Sequence, residues 1–109
     1  MASFLIVDGD RNFREALAIA LRLDGHSVMV AEAADDALGR LGNDTVDCCV
    51  IDAHLWDADV VVEAAAGAGV RTILTGPYAD ILACAARRHP RAEALAKPFP
   101  AAALAKPAA

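Results

Sequence analysis

The chain is 109 residues long, carries a net charge of −5 at neutral pH and is 57% hydrophobic. Such a length makes one domain able to bury its own core, and roughly a quarter of it is alanine, which buries little area and favours helix. No stretch offers the ~20 apolar residues of a membrane span, and the acidic balance argues against nucleic acid as a direct partner.

Residues 3–8 form a short apolar run ending in Asp8, which predicts a buried strand. The run has no basic region before it and stops at a carboxylate, so no signal peptide and a cytoplasmic location are expected. After Gly9, Phe13, Leu17 and Leu21 recur at helical spacing, with Ala16, Ala20 and Leu23 widening the stripe. Either Asn12, paired with Glu15 in a capping box, or Asp10 caps this helix, and Asp24-Gly25 stops it. Ser27 to Ala31 reads as a second strand, and Ala34 to Leu41 as a second helix.

Asp47 to Asp52 is a continuous apolar run suited to burial on both faces of a sheet. The loop from Ala53 to Asp57 carries the only tryptophan, and Asp59 is placed to cap a short helix from Val60 to about Ala66. Val70 to Thr75 reads as the fourth strand and Tyr78 to about Arg88 as the fourth helix, ended by His89-Pro90. Glu93 to Ala96 is a weak fifth strand, followed by the rigid turn Lys97-Pro98-Phe99-Pro100. Residues 101–106 offer a turn or two of helix, and the end of the Ala/Pro-rich stretch to 109 is expected to fray. Cys48, Cys49 and Cys84 have neither disulfide nor zinc spacing and read as reduced core thiols. His26 reads as a turn residue, and Arg87, Arg88, His89 and Arg91 as a solvated helix end or a docking patch.

Strands alternating with helices five times predict an α/β domain with a parallel sheet and right-handed crossovers. In such a sheet functional groups gather at the carboxyl ends of the strands. Asp8, Asp52, Thr75 and Lys97 each end a predicted strand, so two carboxylates, a hydroxyl and an ammonium converge at one edge. Clustered carboxylates attract a hard cation such as Mg²⁺, a lysine offsets charge on a phosphoryl group, and a threonine hydroxyl can bond the product phosphate. Together they suit phosphoryl transfer onto a carboxylate.

The pattern Phe4-Leu5-Ile6-Val7-Asp8, Val50-Ile51-Asp52, Ile73-Leu74-Thr75-Gly76 and Lys97-Pro98-Phe99 resembles the response-regulator receiver domain of bacterial two-component signalling, over residues 3 to about 100. The resemblance implies a three-layer, flavodoxin-like (βα)5 fold with strand order 2-1-3-4-5, a short third helix and a short or missing fifth. It implies that Asp52 accepts a phosphoryl group from a histidine kinase or phosphotransfer protein. Thr75 becomes the switch hydroxyl, and Lys97 the phosphate contact in a Lys-Pro bond that is usually cis. Mg²⁺ is then held by Asp8, Asp52 and the backbone carbonyl of His54, with Asp10 either reaching the cation or capping the helix. No turnover of a separate substrate is expected. The fourth helix, fifth strand and fifth helix form the face for a downstream partner or self-association.

The chain departs from the pattern in five places. Gly9 stands where a second acid is usual, so the Mg²⁺ site is one ligand short. Leu55-Trp56 replaces a Met-Pro pair, and Ala94 stands where an aromatic usually couples to the threonine. The segment from Asp52 to Thr75 is short, and a short last helix leaves part of one sheet face uncovered. Two readings therefore stay open, a working phospho-acceptor and a pseudo-receiver that signals by binding alone. A third is an aspartyl phosphatase of the haloacid dehalogenase type, using Asp8 of Asp8-Gly9-Asp10 as nucleophile.

Overall fold

A computed structural model describes residues 1–105. The elements are β1 (Ser3–Val7), α1 (Arg11–Leu23), β2 (Ser27–Ala31), α2 (Ala34–Asn43), β3 (Cys48–Asp52), α3 (Ala58–Gly67), β4 (Arg71–Gly76), α4 (Ala79–Arg88), β5 (Glu93–Ala96) and α5 (Ala102–Ala105). All strand pairs are parallel and the sheet order is β2-β1-β3-β4-β5. This is the expected flavodoxin-like (βα)5 arrangement with a short α5. The end of the tail, residues 106–109, lies outside the described residues.

Alternation along the central strands builds two cores. Leu5, Val7, Cys49, Ile51 and Leu74 face α2, α3 and α4. Phe4, Ile6, Cys48, Val50 and Ile73 face α1 and the single turn of α5. The strands are thus apolar on both sides, which is why β3 reads as an unbroken hydrophobic run. Burial pushes the thiol pKa of Cys48 up to about 11 and that of Cys49 up to about 12, so both are packing groups.

The partly open face is closed further than its short helix suggested. Leu104 is fully buried in the second core. Arg71 holds it there: Nη1 donates to the Leu104 carbonyl at 2.7 Å while Nε and Nη2 grip both oxygens of Glu93 at 2.6 and 2.8 Å. Leu95 and Phe99, half-buried against that core, cover the rest.

Several local expectations are corrected. The cap of α3 is Asp57, in the left-handed region at φ 63°, a conformation a short polar side chain tolerates. Asp59 instead lies in the first turn of α3, where its Oδ1 meets His89 Nε2 at 2.6 Å and Arg88 Nη2 at 3.3 Å. The basic stretch at the end of α4 is therefore partly tied down. Cys84 is exposed, because α4 buries Leu82 and Ala85 and the two positions between them, Ala83 and Cys84, turn outward. His26 does more than turn the chain: its Nδ1 accepts the Ala2 amide at 3.0 Å and its ring stands edge-on to Phe4.

Candidate functional site at the carboxyl edge of the sheet

Parallel pairing sets Asp52 beside Thr75 at the ends of β3 and β4. Asp8 directly follows β1, and Lys97 follows β5, anchored by its amide to the Gly76 carbonyl at 2.9 Å. The four expected residues therefore occupy one edge of the sheet, and the geometry ranks them. Lys97 Nζ lies 2.7 Å from Asp8 Oδ2 and 3.9 Å from Asp52 Oδ2. Asp8 is 1% exposed, and its second oxygen accepts the Asp10 amide at 2.9 Å. Burying that carboxylate is tolerated because both oxygens are paired. Asp52 is the more accessible acid, with a side chain 15% exposed. Its Oδ1 accepts the His54 amide at 3.0 Å, so Oδ2 is the oxygen turned toward the ammonium.

Thr75 is fully buried and its hydroxyl donates a long hydrogen bond, 3.4 Å, to the Ile51 carbonyl. The Lys97–Pro98 peptide bond is cis, as the resemblance implied. Arg14, buried on α1, donates to the Asp8 carbonyl at 2.8 Å and ties the start of the helix to the end of β1. That contact was not read from the sequence, since an arginine one residue after an apolar helix position carries no local sign of burial. Phe13, counted in the stripe of α1, also touches the site: its ring centroid lies 4.1 Å from Lys97 Nζ.

Asp10 caps α1, its Oδ1 accepting the amides of Asn12 at 3.0 Å and Phe13 at 3.3 Å. The capping alternative is the one seen. Gly9 contributes no side-chain oxygen, and a Cβ built on it would meet only Leu55 Cδ1 at 3.9 Å and the Glu32 carbonyl at 4.0 Å. Among the described residues no group of three or more His, Cys, Asp or Glu side chains is placed to hold a metal ion. Mg²⁺ asks for only one or two carboxylates beside waters and phosphate oxygens. Asp8, Asp52 and the His54 carbonyl fit it in kind, with one acid fewer than the resemblance calls for.

Two exposed aromatics stand near the edge. Trp56, in the loop after Asp52, is 86% exposed. Tyr78, just past β4, packs edge-on against His54 with centroids 5.9 Å apart. Ala94 is exposed on β5. A cavity of about 360 Å³ lies between α3 and the α4–β5 connection and includes none of the strand-end groups.

Solved structures carry the same architecture, with the strand ends placed at one edge of the sheet. A CheY-like response regulator receiver domain protein from Methanospirillum hungatei superposes with a TM-score of 0.82 at 23% identity, over 96% of this chain and 88% of that one. A Burkholderia pseudomallei response regulator, solved with a phosphorylated aspartic acid, calcium ion and citrate, gives 0.82 at 23% identity, over 96% of this chain and 65% of that one. A de novo designed Rossmann 2x3 protein also aligns, at 0.73 and 11% identity, over 88% of this chain and 78% of that one. No family model and no curated protein matches the sequence. The fold is that of the response-regulator receiver. Since a designed protein shares much of it, the site residues must carry the functional argument.

No helix among the described residues is long and apolar enough to cross a membrane.

Proposed function

We propose that this domain is a signalling receiver that accepts a phosphoryl group on Asp52 from the phosphohistidine of a kinase or phosphotransfer protein. The observation that carries the reading is the asymmetry of the two carboxylates around Lys97. Asp8 is sealed and fully paired, whereas the Asp52 side chain is more accessible and holds Oδ2 3.9 Å from the ammonium. Asp52 Oδ2 forms the new P–O bond as the donor's P–N bond breaks, and the electron pair leaves on the imidazole nitrogen. The His54 amide holds the other oxygen of Asp52, fixing the direction of attack. Lys97 turns from Asp8 toward a phosphoryl oxygen and offsets its charge. Thr75 gives up its long bond to the Ile51 carbonyl and donates to another phosphoryl oxygen.

Bound Mg²⁺ would supply further neutralisation of the phosphoryl oxygens, held by Asp52, the His54 carbonyl and the Asp8 oxygen that Lys97 vacates. Asp10 would join only by leaving its helix cap. With Ala94 exposed where an aromatic would couple to Thr75, output is expected through another route, such as the α4–β5–α5 face with Arg87 and Arg91. The partners are a phosphodonor protein and a downstream protein or second copy, with no nucleic acid, no membrane, a cytoplasmic setting and no separate substrate turned over.

The test is acetyl phosphate or beryllofluoride with millimolar Mg²⁺, followed by intact mass and by Trp56 fluorescence. One phosphoryl group should add to the wild type and none to Asp52→Asn. A wild type that takes up neither reagent supports the pseudo-receiver reading, which Gly9 and Ala94 favour. The haloacid dehalogenase reading needs an available Asp8, and Asp8 is sealed with both oxygens engaged. An adduct lost in Asp8→Asn but kept in Asp52→Asn would revive it.

A further inference from the structure

Lys97 is enclosed on three sides. Asp8 Oδ2 lies at 2.7 Å, Asp52 Oδ2 at 3.9 Å, and the Phe13 ring lies under Nζ at 4.1 Å from its centroid. The side chain is 13% exposed, so the ring faces a poorly hydrated ammonium, the setting in which a cation–π contact is strong. The ring is itself held. The Phe13 amide donates to Asp10 Oδ1 at 3.3 Å, and Phe99 stands edge-on to the ring with centroids 5.7 Å apart and planes at 70°. Phe99 lies two residues beyond Lys97, so ring and lysine are fixed by the same two segments, the start of α1 and the turn after β5.

The ring does something neither carboxylate can. A hydrogen bond to Asp8 favours one direction, and Lys97 must leave that direction to meet a phosphoryl group on Asp52. The face of a ring attracts a cation through its quadrupole, without a directional lone pair, so the attraction persists as the ammonium swings between the two acids. We propose that Phe13 is a positioning residue that holds the Lys97 ammonium between Asp8 and Asp52 and eases its transfer from one to the other. The proposal rests on the phospho-acceptor reading for its consequence, but the contact can be read without it.

The test uses the full chain with Phe13→Leu and Phe13→Tyr, each alone and combined with Lys97→Gln. With acetyl phosphate and Mg²⁺, Phe13→Leu should slow phosphorylation about three- to tenfold and Phe13→Tyr should restore the rate. In the Lys97→Gln background Phe13→Leu should add nothing, because its effect runs through the ammonium. Equal slowing in both backgrounds would overturn the proposal. The chain has two lysines, Lys97 and Lys106, so the ε-methylene signals of Lys97 are simple to assign. Ring current should move them upfield in wild type and Phe13→Tyr but not in Phe13→Leu. Unchanged shifts between wild type and Phe13→Leu would also overturn it. Should Phe13→Leu fail to hold the fold, Phe13→Met carries the same comparisons. If the wild type forms no adduct, the phospho-acceptor reading fails by itself and the lysine shifts alone decide the role of Phe13.

Discussion

Lys97 rests on Asp8, at 2.7 Å, and not on Asp52, at 3.9 Å. The ammonium is therefore a structural partner as well as the phosphate contact proposed for Asp52. Its resting bond keeps a carboxylate 1% exposed from being left unpaired at the sheet edge. Any chemistry at Asp52 must draw the lysine away from that first duty.

This dual role makes stability the first measurement. Lys97→Met should destabilise the domain by about 3 kcal/mol, because it strands a buried charge. Adding Asp8→Asn should recover much of the loss, since the charge that needed a partner is gone. Urea unfolding of the three proteins checks it, and a double variant weaker than Lys97→Met would contradict the account.

Gly9 is the natural place to restore an acid. A Cβ there meets nothing closer than 3.9 Å, and its backbone is not among the positive-φ positions. Gly9→Asp should leave the fold intact and tighten divalent-cation binding on the order of tenfold, as carboxylate count governs such sites. Titration with Mg²⁺ followed by Trp56 fluorescence reads the change.

The bidentate Arg71–Glu93 pair carries a pH signature. The Arg71 hydrogen bonds, and after them its charge, hold the Glu93 carboxyl below its ordinary value of 4.5. A carboxyl with a lowered folded-state pKa stabilises the fold above the ordinary value, and that contribution is lost as pH falls through the folded value. Glu93→Gln should therefore cost about 1 kcal/mol at pH 7 and little once the wild-type glutamate is protonated. Urea midpoints for both proteins at neutral and acid pH should converge on acidification.

Thiol accessibility separates the cysteines. Cys84 is exposed, whereas Cys48 and Cys49 are buried with pKa pushed up to about 11 and about 12. A thiol reagent at pH 8 should modify Cys84 quickly in the native protein and reach the other two only in denaturant. Rapid reaction of all three in the native protein would mean that the sheet opens at β3.

Asp59 shows where local patterns run out. A short acid ahead of a valine run is a fair helix cap, yet the helix begins after Asp57 and Asp59 meets His89. The two residues are thirty positions apart, so only the packing of α3 beside the end of α4 could reveal the contact. Cys84 failed for a different reason. A small apolar residue on an alanine-rich helix shows no periodicity, and the buried face was chosen by Leu82 and Ala85.

What was legible in the chain was whatever depends on neighbours in sequence. Runs of apolar residues ending in Asp8, Asp52 and Thr75 announce buried parallel strands with polar ends, because a strand covered on both faces must be apolar throughout, while the edge strand before Lys97 is only weakly marked. Tertiary packing decided the rest. It set which oxygen of which carboxylate holds Lys97, sealed Asp8 while leaving Asp52 accessible, brought Phe13 beneath the ammonium, and let Arg71 fasten a single turn of helix over the open face. These are distances between segments far apart in the chain. They follow from strand register and helix placement, which residue types constrain only once every element is packed together.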